Sequence, residues 1–266
     1  MNGTLALFRR VFAGTWRGLI GWIVGVVAAL LLYLPLYSSF AQDGQFEDIM
    51  ATMPQALVKS LGYDQLGTGA GYAQGTFFGL IGFVLLTIAT VGWGTSVIAS
   101  DEENGQLELT LAHAVSRGRV LAERTAAVVV KLAIIGVVIV GVVAALNDPV
   151  GLGIEPWDIV AGTATLLGLA MLSASAAIGV GAMTGSRTWS IGAGAGIAVV
   201  GYVLNAVGNQ SADLEWLHQI SPYSWAWSEN PLAVGPDWMA LGLLYGISLL
   251  LLVAGWLVFR RRDIAT

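Results

Sequence analysis

The chain of 266 residues has no cysteine, only two histidines and few charges, 11% of its residues. Without cysteine there is no thiol nucleophile, no thiolate metal ligand and no disulfide. His113 and His218 stand too far apart in sequence to form an HExxH zinc motif. No GxxxxGK(S/T) stretch occurs, so the usual phosphate loop for ATP is missing, and no GxSxG elbow presents a serine nucleophile. The chain by itself reads as non-catalytic. Charge is also missing from the middle of its long apolar runs, with Lys131 placed close to the inner end of one. Ion-coupled carriers usually need an ionisable group at that depth, which disfavours a secondary carrier.

What remains is apolar. Hydrophobic residues make up 56% of the sequence and the mean hydropathy is +0.75. A membrane-crossing helix needs roughly 20 apolar residues, and about six such runs are predicted, over residues 18–40, 73–99, 125–146, 158–183, 188–208 and 238–259. The fold class is an all-α membrane protein in which residues 1–266 form a single transmembrane domain, too little chain being left for a separate soluble domain. The first apolar run is longer than the core of a signal peptide, so an uncleaved span is expected.

Lys and Arg cluster on one side of these spans. Arg9, Arg10, Arg17, Arg117, Arg119, Arg124, Lys131, Arg187, Arg260, Arg261 and Arg262 share one side, and Lys59 lies on the other. By the positive-inside rule both termini and the 100–124 loop face the cytoplasm. Most acids lie on the opposite side, so the net charge of −5 is a sum over two unlike faces and is no sign of a nucleic-acid partner. In the outer segment 41–72, apolar residues from Phe46 to Leu61 recur every three or four positions. That spacing predicts amphipathic helices in the outer interface. Trp216, Tyr223, Trp225, Trp227 and Trp238 are expected to form an interfacial belt, and Asn147-Asp148-Pro149 to close span three.

Glycine is abundant, with 35 residues. Gly14/Gly18, Gly21/Gly25, Gly75/Gly79, Gly192/Gly196 and Gly242/Gly246 have the small-xxx-small spacing that lets helices approach closely. Gly192, Gly194 and Gly196 make span five the expected close-packing or bending element. Asn205 and Ser173 are modest polar candidates for a pathway or for helix packing.

The densest polar stretch is SDEENGQLELTLAHAVSRGR at 100–119. Ser100 with Glu103 three residues later fits a capping box, and the acids suit the positive end of a helix dipole. A short helix is predicted to start there and to carry an apolar face of Leu107, Thr110, Leu111, Ala114 and Val115, with Ser116 capping the next segment. Residues 103–117, ENGQLELTLAHAVSR, resemble the pattern E-x-G-T-L-E-L-L-L-A-x-P-V-S-R of ABC-2 type transporter permeases. The tail Phe259-Arg260-Arg261-Arg262-Asp263-Ile264 is similar to their common C-terminal ending. Gln106 and Ala114 depart from the pattern, where Thr and Pro are usual.

This resemblance implies a multi-pass permease of a prokaryotic plasma (inner) membrane. Its expected partners are a separate cytosolic ABC ATP-binding subunit, a second permease (identical or a close paralogue) and membrane lipids. ATP and Mg would be held by the ATPase subunit, with no cofactor in this chain. The 100–119 helix would couple to the ATPase through Glu102, Glu103, Gly105, Leu107, Glu108, Leu111 and Arg117. The charge-free spans suggest export of a hydrophobic or amphipathic compound. A non-transporting scaffold that uses the same loop to hold a cytosolic protein is the alternative from another class.

Overall fold

A computed structural model of the chain describes residues 6–42, 67–111 and 116–262. Most of the expected outer amphipathic segment, His113, Ala114 and the end of the tail lie outside the described residues. Among those described, all regular structure is helical, and six helices are long and apolar enough to cross a membrane.

The first span is α1 (Ala6–Tyr33), followed after a turn at Leu34-Pro35 by α2 (Leu36–Gln42). The second, α3 (Gly69–Val97), contains a π-helical segment at Gln74–Ile81. Two short helices follow, α4 (Ala99–Glu103) and α5 (Gln106–Leu111). The remaining spans are α6 (Arg117–Val150), α7 (Pro156–Thr184), α8 (Arg187–Gly208) and α11 (Trp238–Arg261). A 3-10 helix (Ala212–Ile220), α9 (Pro222–Trp227) and α10 (Pro231–Val234) lie between the last two.

The helix ends follow from local chemistry. Pro149 does not stop α6; the helix runs three residues past Asn147 and ends at Gly151, whose φ of 75° is the left-handed conformation glycine adopts freely. The Asn147 side chain then clasps Ile154 through its amide and carbonyl, at 2.9 and 3.0 Å. At the other end α6 starts at Arg117, about two turns before its apolar run. Glu123, Arg124 and Lys131 therefore lie inside the helix and are buried. Lys131 sits about four turns into α6 and about two turns into its apolar run, with its Nζ 5.1 Å from the Trp93 ring centre.

Helix α7 forms the centre, packed by α3, α6, α8 and α11. Small residues line it on every side, so neighbouring backbones come close. At Gly179 the approach is backbone to backbone: a Cβ built on Gly255 of α11 would lie 2.7 Å from Gly179 Cα. Gly194 meets the Ser173 carbonyl in the same way, at 2.9 Å. Of the three glycines expected to make span five a close-packing element, Gly194 alone does so. Around Gly192 and Gly196 nothing lies within 4 Å, so they face outward and Gly194 makes the close contact. Gly14, Gly18, Gly21, Gly25, Gly242 and Gly246 are equally open. A periodic pair shows that a helix can approach something; which face is used depends on the partner helices.

The segment after α8 folds back into the bundle instead of forming only a belt. Trp216 and Trp238 are exposed, as expected for an interface, whereas Trp227 is buried. Tyr223 donates to the Gly79 carbonyl at 2.8 Å, a group within the π-helical segment, and packs edge-on against Phe83 and Tyr202. Asn205 serves packing here: its Oδ1 accepts from Ser224 Oγ at 2.8 Å. Ser173 is buried and lines a cavity of only about 10 Å³ with Tyr223 and Ile197, room for roughly one water.

Candidate coupling site at the basic end of the bundle

Helix α3 breaks at Ile98, whose φ of −133° and ψ of −58° leave the helical region. The break turns the chain across the end of the bundle, and α4 presents Asp101, Glu102 and Glu103 in succession. Consecutive helical residues point about 100° apart, so each acid reaches a different helix. Asp101 pairs with Arg124 of α6 at 2.7 Å. Glu102 pairs with Arg262, just past the end of α11. Glu103 accepts the backbone N–H of Arg187 at 2.7 Å, the first residue of α8.

The three contacts explain the acid cluster better than a capping box does. Ser100 lies inside α4 and makes no cap; Ile98 is the N-cap position and has no side-chain bond. Glu103 instead satisfies an orphan N–H at the start of another helix, where the dipole favours a carboxylate. Glu123 does the same for α1, accepting from Leu7 and Phe8 N–H at 2.9 and 3.1 Å while Arg119 Nε donates to it at 2.6 Å. Replacing Glu123 by alanine is expected to cost about 1–2 kcal/mol, the range for a lost helix cap. Hydrogen exchange would detect it as faster exchange of the Leu7 and Phe8 amides, with little change elsewhere.

Arg124 is the keystone. It is 7% exposed, and its Nη1 also donates to the Val97 carbonyl at 2.7 Å, an orphan group left by the break in α3. One guanidinium thus joins the end of α3, the start of α4 and the body of α6. Its role was not legible from the sequence, where it looked like one more surface basic residue. The available signal was its position eight residues after the Ser116 cap, about two turns along and on the same face as the helix entry.

Two of the expected contact residues prove to be seats. Leu107 is fully buried among Val97, Ile98, Val120, Leu121 and Phe259, so it anchors α5 to the bundle and offers no surface to a partner. Glu102 is half-buried in its pair with Arg262. Glu103, Gly105 and Glu108 are exposed, together with Asn104 and Gln106. Gly105 separates α4 from α5 with a φ of 67°, a left-handed turn, so the knob is two short helices and not one. Arg117 begins α6 beneath the Ser116 cap, and its Nη1 donates to the Arg262 carbonyl. Leu111 ends the described part of α5.

The first residues of α1, the start of α6, the start of α8 and the end of α11 therefore meet at one end of the bundle, bound by the knob. No curated protein and no solved structure is detectably similar to the chain. The family model described as ABC-2 family transporter protein matches residues 5–264, which includes the knob and all six spans: the chain belongs to the ABC-2 transporter family and is a membrane permease subunit.

Proposed function

We propose that this permease is one half of the pathway of an ATP-driven exporter, coupled through the α4–α5 knob to a separate cytosolic ATP-binding subunit. Residues 1–266 act as one transmembrane domain, with both termini and the knob in the cytoplasm of a prokaryotic cell. The observation that carries the reading is the set of ties from three adjacent acids to α6, α8 and the end of α11. A push on such a knob is transmitted to three spans at once. Nucleotide can shift the permease only by contacts that differ between its states, and a knob braced in this way supplies them. The exposed edge formed by Glu103, Gly105 and Glu108 meets the ATPase, with Arg117 and Leu111 flanking it and Leu107 fixing its seat.

A second permease, identical or paralogous, completes the pathway. The open glycine faces of α1 and α8 would allow close approach by another helix. Apolar spans favour a hydrophobic or amphipathic cargo.

Glu108→Arg tests the coupling with little risk to folding, because the side chain is exposed. Copurification with the ATP-binding subunit and its stimulated ATPase rate should both fall at least tenfold, while the melting temperature of the isolated permease is unchanged. Unaltered assembly and stimulation would assign the knob to another task.

A further inference from the structure

Beside the knob, on the outer wall between α6 and α11, a cavity of about 570 Å³ is walled by Arg117, Arg119, Arg260 and Trp256. The Arg260 guanidinium lies 4.5 Å from the Trp256 ring centre. Gly118 makes room for the indole, since a Cβ there would lie 2.7 Å from Trp256 Nε1. A second cavity, of about 290 Å³, adjoins it along the same two helices and is lined by Leu121, Thr125, Leu252 and Val253. Ala122 and Trp256 line both spaces and form their common wall. The upper space is basic and the lower one almost wholly apolar.

We infer that this paired cavity binds an anionic phospholipid, with the phosphate among the arginines and an acyl chain in the apolar groove. Charge complementarity selects the headgroup. Glu123 offsets Arg119 through their 2.6 Å bond, but Arg117 and Arg260 face the same space with no carboxylate partner among the described residues. Guanidinium groups match phosphate oxygens with paired N–H donors. The groove selects the tail: it runs along membrane-crossing helices, below a basic rim carrying a tryptophan, where lipid headgroups lie. A soluble anion would leave the apolar space unfilled, and a neutral lipid would bring no negative charge to Arg117 and Arg260. With the orientation proposed above the lipid belongs to the cytoplasmic leaflet, beside the start of α6 and the end of α11, which are both tied to the knob.

Native mass spectrometry of the full-length chain tests this, with phosphatidylglycerol, phosphatidylcholine or glycerol phosphate offered separately in detergent. The expected result is one retained phosphatidylglycerol, with weaker retention of phosphatidylcholine and of glycerol phosphate. Arg260→Gln should weaken phosphatidylglycerol about fivefold, the equivalent of ~1 kcal/mol for one basic residue near an anionic surface. Ala122→Leu keeps every charge but fills the common wall, and should weaken it by a similar factor. Equal retention of the two lipids, or wild-type retention by both variants, would overturn the inference. Retention of glycerol phosphate as strong as that of the lipid would show an anion site without a lipid.

Discussion

Asp101→Ala is expected to destabilise the permease by about 3 kcal/mol, the lower part of the range for breaking a buried ion pair by removing one partner. The asymmetry of the pair sets the size. The Asp101 side chain keeps access to water, while that of Arg124 is almost wholly enclosed. Losing Asp101 leaves the guanidinium buried with the Val97 carbonyl as its remaining partner among the described residues, where its Nε already has none. The converse change, Arg124→Met, should be milder, because the freed carboxylate can turn toward water and methionine fills the space. The double variant Asp101→Ala/Arg124→Met should then be more stable than Asp101→Ala alone. Melting of the detergent-solubilised chain, followed by tryptophan fluorescence, would rank the three variants. A double variant worse than either single would mean that the pair is not what holds α4 to α6.

The second large effect is expected at Gly255. Even alanine there places its Cβ 2.7, 3.1 and 3.3 Å from the Cα, O and C atoms of Gly179. All three are backbone atoms, so no side chain can rotate away and α11 must move off α7. Overpacking a well-packed contact costs typically 1–3 kcal/mol; Gly255→Ala should fall in that range, and Gly255→Val should exceed it or prevent assembly of the last span. The control is Gly192→Ala, which meets nothing within 4 Å. In the isolated chain it should be neutral or stabilising by a few tenths of a kcal/mol, alanine being the better helix former. Expression level and melting temperature measured together would separate the two sites.

Both effects also show what could be read from the sequence. The six spans were legible because hydropathy over roughly 20 residues is a strong and local signal. The basic clustering at one end was legible from Lys and Arg placement alone, and the start of α1, the end of α11, the α6 start and the knob do meet there. The knob motif carried the family. Contact details were not legible, since they depend on which face of a helix meets which neighbour. Gly192/Gly196 and Gly179 look alike in sequence; one pair faces outward and the other residue touches a backbone. Ser100 and Glu103 fit the capping box, yet Glu103 caps α8, a helix that begins 84 residues later. Leu107 looked like part of an exposed edge because a short segment does not reveal the core pocket formed by Val120, Leu121 and Phe259.

The central claim is that the α4–α5 knob is where the ATP-binding subunit docks. Because the chain has no native cysteine, a single Glu108→Cys substitution gives a unique attachment point for a short thiol-reactive cross-linker. In the assembled complex in lipid, with a reactive thiol placed on the ATP-binding subunit's permease-facing surface, position 108 should cross-link to that subunit. Asp213→Cys, at the opposite end of the bundle, should not. Cross-linking at position 213, or none at position 108 in a complex shown to be intact, would contradict the account.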